Sequence, residues 1–269
     1  MLQLGINLND AEALSTLAAD VKTIDTNGLN VEQVLAQIVG IINYNFSLMR
    51  PFYCAANTAM KILLIALTRW RVEGKENVPR KGPLIVVANH MTYVDPPLLS
   101  ASVPRRITFM AKQELFRPSL MAFVVRAYGA FPVRRDRLDR EAVRHALEVL
   151  NKGEVLGMFP EGKRSFPYQL QEMQPGTAFI AARSGVPIIP VGISGSEQVK
   201  GIGFIVRRPR ITVRIGRPFT LPSGENNKPN RSRLTRYSDL IMERIAELLP
   251  QSYGGSHSFQ NNPRSSNEN

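Results

Sequence analysis

A single cysteine, Cys54, in 269 residues excludes an internal disulfide framework and fits a reducing compartment. No stretch reaches the ~20 uninterrupted apolar residues of a comfortable membrane span. The first residues, Met1 to Asp10, lack the basic region that opens a secretory signal. Zinc-ligand spacing, an RNA-binding aromatic motif and a basic helix with heptads are all missing, so nucleic acid is not an expected partner. No metal and no cofactor is called for either.

Negative charge is scarce outside the N-terminal part. The formal net charge is +12. The first 49 residues carry Asp10, Glu12, Asp20, Asp25 and Glu32 against Lys22, so the remainder holds a net +16. That excess implies an anionic partner, here a membrane surface or a phosphorylated substrate. Hydrophobic content of 43% suffices for a core, and the length fits one large α/β domain with additions.

Helical periodicity over 10–44, broken at Thr26-Asn27-Gly28, reads as an appended helical segment. Residues 52–67 contain 13 apolar residues of 16, with Arg50 before them and Arg69, Trp70 and Arg71 after. A greasy centre with basic and aromatic ends suits a helix lying in a membrane interface, although an ordinary buried helix fits the same residues. Residues 115–131 form a second greasy segment, interrupted by Arg117 and Arg126. Buried strands are expected at Leu84–Ala88, Ile107–Met110 and Val155–Phe159, and an alternating one at Ile211–Ile215. The prolines of Val186-Pro187-Ile188-Ile189-Pro190 place that strand at an edge or a bulge. Asp136 or Asp139 should cap a helix that Gly153 stops, Pro175–Ser184 should be a helix capped by Gly185, and a last amphipathic helix carries Tyr237, Ile241 and Ile245. The expected fold is α/β, a mixed, largely parallel sheet flanked by helices. Its expected organisation is a helical segment over 1–45, an interface helix over 46–71, the α/β domain over 72–250 and a disordered polar tail over 251–269.

Two tempting motifs fail on chemistry. Gly157 to Lys163 fits most of a P-loop, but Arg164 stands where a magnesium-binding Ser or Thr belongs, and Glu161 would repel phosphate. Gly192-Ile193-Ser194-Gly195-Ser196 lacks the closing glycine of a nucleophile elbow. Cys54 has no base near it in sequence and reads as a structural thiol, and His145 reads as a rim residue of its helix.

Asn89-His90-Met91-Thr92-Tyr93-Val94-Asp95 leaves the end of the Leu84–Ala88 strand. A histidine acts as a general base only when its tautomer is fixed, and a carboxylate on its far ring nitrogen fixes it. The same residues also suit a strand-end histidine beside an aspartate N-cap. Three further signals stand at strand ends: Arg134-Arg135, closing a strand expected over Gly129 to Arg135, then Phe159-Pro160-Glu161-Gly162-Lys163-Arg164-Ser165, and Val186 to Pro190.

In this order and spacing, over about residues 70–215, the four blocks resemble those of the glycerolipid acyltransferase family, in particular its PlsC-type lysophosphatidic acid acyltransferases. Those blocks read N-H-x-x-x-x-D, a glycine-to-arginine element, F-P-E-G-T-R-S and V-P-I-x-P-V. Lys163 departs from the usual threonine and adds charge to the loop. The resemblance implies acyl transfer from a thioester, acyl-CoA or acyl carrier protein, to the free hydroxyl of 1-acyl-sn-glycerol-3-phosphate. Another lyso-lipid as acceptor, or a non-catalytic lipid-binding protein of the same fold, stays open as an alternative. On this reading His90 is the base and Asp95 its partner, and Lys112 with backbone N–H groups of the Glu161-Gly162 loop faces the oxyanion. Arg135 and Arg164, helped by Lys163, take the acceptor phosphate, and Glu161 seats the glycerol part. The expected location is the membrane, peripheral or monotopic, on its cytoplasmic face.

Overall fold

A computed structural model describes residues 52–117, 120–134, 139–162, 173–222 and 230–253. They lie, Phe52 apart, in the compact unit Tyr53–Asn269. The helical patterns expected over 10–44 lie outside the described residues, as do 254–269.

Leu84-Ile85-Val86-Val87-Ala88 shows why the domain has two apolar layers. All five residues are fully buried, and alternate side chains point to opposite faces of the sheet. Leu84, Val86 and Ala88 join one core cluster, and Ile85 and Val87 join the other. Each of the four larger side chains contributes about 1.5–3 kcal/mol by leaving water. A strand buried on both faces is what a sheet with helices on each side requires.

Seven strands make that sheet. They are β1 (Arg69–Glu73), β2 (Leu84–Ala88), β3 (Ile107–Lys112), β4 (Phe131–Val133), β5 (Val155–Met158), β6 (Ile188–Ser194) and β7 (Arg210–Ile215), in the order β1-β7-β6-β2-β5-β3-β4. β2 to β6 run in one direction, with parallel pairing throughout. β7 pairs antiparallel with β6, and β1 runs alongside β7. The sheet is therefore mixed and largely parallel.

Helix α1 occupies 52–67. With α2 (Asp95–Ser102) it supplies Leu64, Leu98 and Leu99 to the first core cluster. The opposite face is covered by α4 (Arg140–Asn151), α5 (Pro175–Ser184) and α7 (Arg231–Ala246), with α3 (Leu120–Ala127) preceding β4. A four-residue turn of helix, α6 (Phe204–Arg207), leads into β7.

Several element ends fall where their signals stand. Asp139, not Asp136, caps α4, accepting from the N–H groups of Glu141 and Ala142. Gly185 closes α5 with a φ of 63°.

Two expectations are corrected, and for β6 the bulge is chosen over the edge. Arg69, Trp70 and Arg71 belong to the edge strand β1, not to the basic end of the preceding helix. Strand β6 is interior, between β7 and β2. Its partner gains a residue between the Val191–Ile215 pair and the Ile188–Phe219 bridge, and Pro190, which has no N–H, falls in that bulge. Residues Gln251–Tyr253, expected in the disordered tail, form a 3₁₀ turn with Tyr253 buried. The tyrosine hydroxyl accepts from the Gly195 N–H and donates to Glu197, which pins this end of the chain to the loop after β6.

Candidate active site

Because β2 to β6 share a direction, their C-terminal ends form one edge of the sheet, the usual place for a site in an open α/β fold. At that edge stand His90 after β2, Lys112 at the end of β3, Arg134 after β4 and Phe159 to Gly162 after β5. Arg135, Lys163 and Arg164 lie outside the described residues.

Asn89 is the first fixed point. Its carboxamide accepts from the Ile193 N–H at 2.7 Å and donates to the Ile193 carbonyl at 2.9 Å. The side chain thus extends the β2–β6 ladder by one step and determines where the chain leaves the sheet. Nothing local in the sequence assigns this role to Asn89, since its partner is 104 residues away.

From there the chain turns round Asp95, which is fully buried. Oδ2 accepts from the N–H groups of Met91 and Thr92, each at 2.6 Å, and Oδ1 from the Thr92 hydroxyl at 3.1 Å. Val94, not Asp95, is the N-cap of α2, so the carboxylate reaches back to tie the preceding turn. The positive end of α2 favours that charge. Pro96 and Pro97 sit in the first helical turn, where their missing N–H groups cost nothing.

The same Oδ2 lies 3.0 Å from Nδ1 of His90. A carboxylate only accepts, so the proton sits on Nδ1 and Nε2 is left as the basic nitrogen. The imidazole is 13% exposed. Its ring stacks on Phe159 at 4.3 Å between centroids, and Phe159 stacks in turn on Phe109 at 6.0 Å. Gly157 makes room for that stack, because a Cβ there would fall 2.6 Å from the Phe109 ring.

Glu161 is also fully buried. Its Oε1 accepts from the backbone N–H of His90 at 3.1 Å, which joins the first and third sequence blocks directly. Gly162 turns with a φ of 66° and donates its own N–H to the Phe159 carbonyl. That N–H is committed to the turn.

Lys112 is exposed and paired with Glu114 at 3.0 Å. Arg134 donates through Nε to Gln113, and its backbone N–H is held by Asp139. His145, on α4, stacks on Phe131 at 4.3 Å and takes no part in this edge. Cys54 is exposed on α1, so it is not a buried structural thiol.

Residues 69–194 match the acyltransferase family. A 1-acyl-sn-glycerol-3-phosphate acyltransferase of Bacillus subtilis is 26% identical over 197 residues, covering 73% of this chain and 95% of that protein. One from Streptococcus pneumoniae is 31% identical over 59% of this chain, which spans 61% of that relative's length. The crystal structure of the 1-acyl-sn-glycerophosphate acyltransferase PlsC from Thermotoga maritima shares the fold, with a TM-score of 0.56, 23% identity and 88% of each chain covered.

Proposed function

We propose that this chain, whose residues 69–194 match the acyltransferase family, moves an acyl group from a thioester to the free hydroxyl of 1-acyl-sn-glycerol-3-phosphate, giving phosphatidic acid for phospholipid synthesis. The observation that carries the reading is the 3.0 Å contact between His90 Nδ1 and the buried Asp95 carboxylate, at the edge where the Glu161 loop also arrives. The named relatives support the choice of acceptor.

In the reaction, Nε2 of His90 takes the proton of the acceptor hydroxyl as its oxygen attacks the thioester carbonyl. Asp95 stabilises the imidazolium that forms. The tetrahedral intermediate then collapses, the C–S bond breaks, and the thiolate takes the proton back from His90. No enzyme nucleophile enters, so neither Cys54 nor Ser194 is needed. Lys112 is assigned to the oxyanion. Its exposed pair with Glu114 is worth little and exchanges easily. Arg135 and Arg164 are assigned to the acceptor phosphate as planar forks, with Lys163 beside them. Glu161 fixes the His90 turn, against which the glycerol part rests. The donor is an acyl thioester, carried by CoA or by an acyl carrier protein.

The enzyme is proposed to work as a monotopic protein on the cytoplasmic face of the membrane. Among the described residues no helix is long and apolar enough to cross a bilayer. Helix α1 nevertheless exposes Ile62, Leu63 and Ile65, and α3 exposes Phe123 and Val124. Amphipathic segments of this kind lie in the interface plane.

The test is an acceptor panel: purified protein, an acyl thioester, lysophosphatidic acid and other lyso-lipids, with thiol release and lipid product both measured. Product from lysophosphatidic acid that disappears in His90→Ala is the expected result. Turnover of a different lyso-lipid alone would reassign the acceptor, and wild-type turnover by purified His90→Ala would remove the base.

A further inference from the structure

The stretch 199–210, the later part of the β6–β7 connection and the first residue of β7, holds the two most solvent-exposed large hydrophobic side chains of the described residues. Val206 is 89% and Ile202 84% exposed, and Ile205 beside them is 44% exposed. Around them stand Lys200, Arg207, Arg208 and Arg210, all exposed, and the segment contains no acid. Exposed apolar side chains flanked in sequence by cations have no use in a folded core, and water penalises their exposure. Apolar contact together with positive charge is the recognition chemistry of an anionic lipid surface.

Position strengthens the case. Ser194 pairs with Thr212, and Arg69 with Arg210, so the whole connection leaves the sheet at the edge where His90 follows Ala88. Arg208 donates to the carbonyl of Ile65 at 3.1 Å, which ties the loop to the exposed apolar face of α1. The loop thus meets the C-terminal turns of α1, which carry the exposed Ile62, Leu63 and Ile65.

We propose that the 202–206 tip is a membrane-insertion element. It enters the headgroup region of an anionic bilayer and, with α1, turns the catalytic edge towards the lipid acceptor. The inference rests on the membrane-surface reading above and adds to it a contact outside both greasy segments.

The experiment compares full-length wild type, Ile202→Asp/Val206→Asp and Lys200→Glu/Arg207→Glu for co-sedimentation with phosphatidylcholine vesicles, with and without phosphatidylglycerol. None of these side chains is in the catalytic machinery, and all are exposed, so the variants should melt like wild type and keep wild-type rates on a monodisperse short-chain acceptor. The aspartate pair should lower the partition coefficient on both vesicle types by about tenfold or more, because two apolar contacts are replaced by charges. The glutamate pair should lower binding only where phosphatidylglycerol is present. As a direct readout, an environment-sensitive fluorophore on Val206→Cys, in a Cys54→Ser background, should shift to the blue on adding vesicles. If wild type binds vesicles, an α1 variant loses binding and the aspartate pair binds like wild type, the tip proposal is overturned while the membrane reading stands. If wild type does not bind at all, both fall. A wild-type dimer that the aspartate pair dissociates, with vesicle binding unchanged, would make the tip a contact between copies and overturn the proposal.

Discussion

Asp95→Asn isolates the charge of the His90 partner from its geometry. Three groups converge on Oδ2: the N–H groups of Met91 and Thr92 at 2.6 Å and His90 Nδ1 at 3.0 Å. An asparagine oxygen placed there accepts all three, and its NH₂ meets the Thr92 hydroxyl, which can turn to accept. The turn and the tautomer should therefore survive. Asp95→Ala would instead strip two backbone donors of their acceptor, at about 1–3 kcal/mol each, and confound folding with chemistry. What asparagine loses is the attraction for the imidazolium. At 3.0 Å a full ion pair is worth about 5 kcal/mol at an effective dielectric of about 20. With proton transfer half complete in the transition state, roughly 2–3 kcal/mol is lost, or about two decades in kcat. Thiol release from an acyl thioester at saturating lysophosphatidic acid measures it, with KM for both substrates nearly unchanged. Residues acting as one unit are not additive, so His90→Ala/Asp95→Asn should be no slower than His90→Ala. Asp95→Asn within about threefold of wild type, or a double variant showing the product of both losses, would refute the pairing.

Glu161→Ala should lower kcat about tenfold to a hundredfold by releasing the His90 N–H, whereas Glu161→Gln keeps an acceptor oxygen and most of the rate; a rise in acceptor KM with kcat intact would instead mark a direct glycerol contact. Arg135→Ala and Arg164→Ala should each weaken acceptor binding by one to two decades, the worth of a charge-assisted bond of ~1.5–3 kcal/mol, and leave the donor KM alone; unchanged acceptor dependence in both would remove them from the phosphate site. Ile62→Ser/Leu63→Ser/Ile65→Ser should move the protein towards the soluble fraction with its fold kept, since all three are exposed, whereas wild type should resist high salt and yield to detergent. Wild type that is soluble after lysis at low salt would contradict this.

The parts legible in the sequence are those whose cause is local. A β-branched run of five residues, then histidine and aspartate five apart, identifies a buried strand and its exit turn, because period and spacing act within a few residues. Pro175 and Gly185 mark a helix for the same reason. Strand β1 was less legible. Arg69-Trp70-Arg71-Val72-Glu73 alternates with period two, but three of its five residues are charged, and it follows a greasy helix, so it reads as that helix's flank. Pairing with β7, more than 130 residues later, decides it. The run Ile62-Leu63-Leu64-Ile65 is uniformly apolar, and only packing distinguishes buried Leu64 from its exposed neighbours. The Asn89–Ile193 pair, the Phe159 stack and the hold of Glu161 on His90 are likewise tertiary: they depend on which strands become neighbours.

Those long-range contacts explain how a loop histidine keeps a fixed orientation. Asp95 is held by Met91 and Thr92 whether or not the imidazole is present, so the ring meets an anchored acceptor. The hydrogen bond to Nδ1 limits rotation in the ring plane, and the Phe159 stack limits tilt out of it. Asn89, bonded to β6, and Glu161, from the loop after β5, fix the backbone where it enters the residue. The restraints come from three places, the start of α2, strand β6 and the loop after β5, which supplies both Phe159 and Glu161. Nε2 is then held on the far side of the ring from Asp95 before any substrate arrives, and the entropy of aligning base and hydroxyl is largely met in folding. In the proposed transfer, which uses no enzyme nucleophile, that alignment and the stabilised imidazolium are what the His90 turn itself contributes to rate, beside the oxyanion role proposed for Lys112.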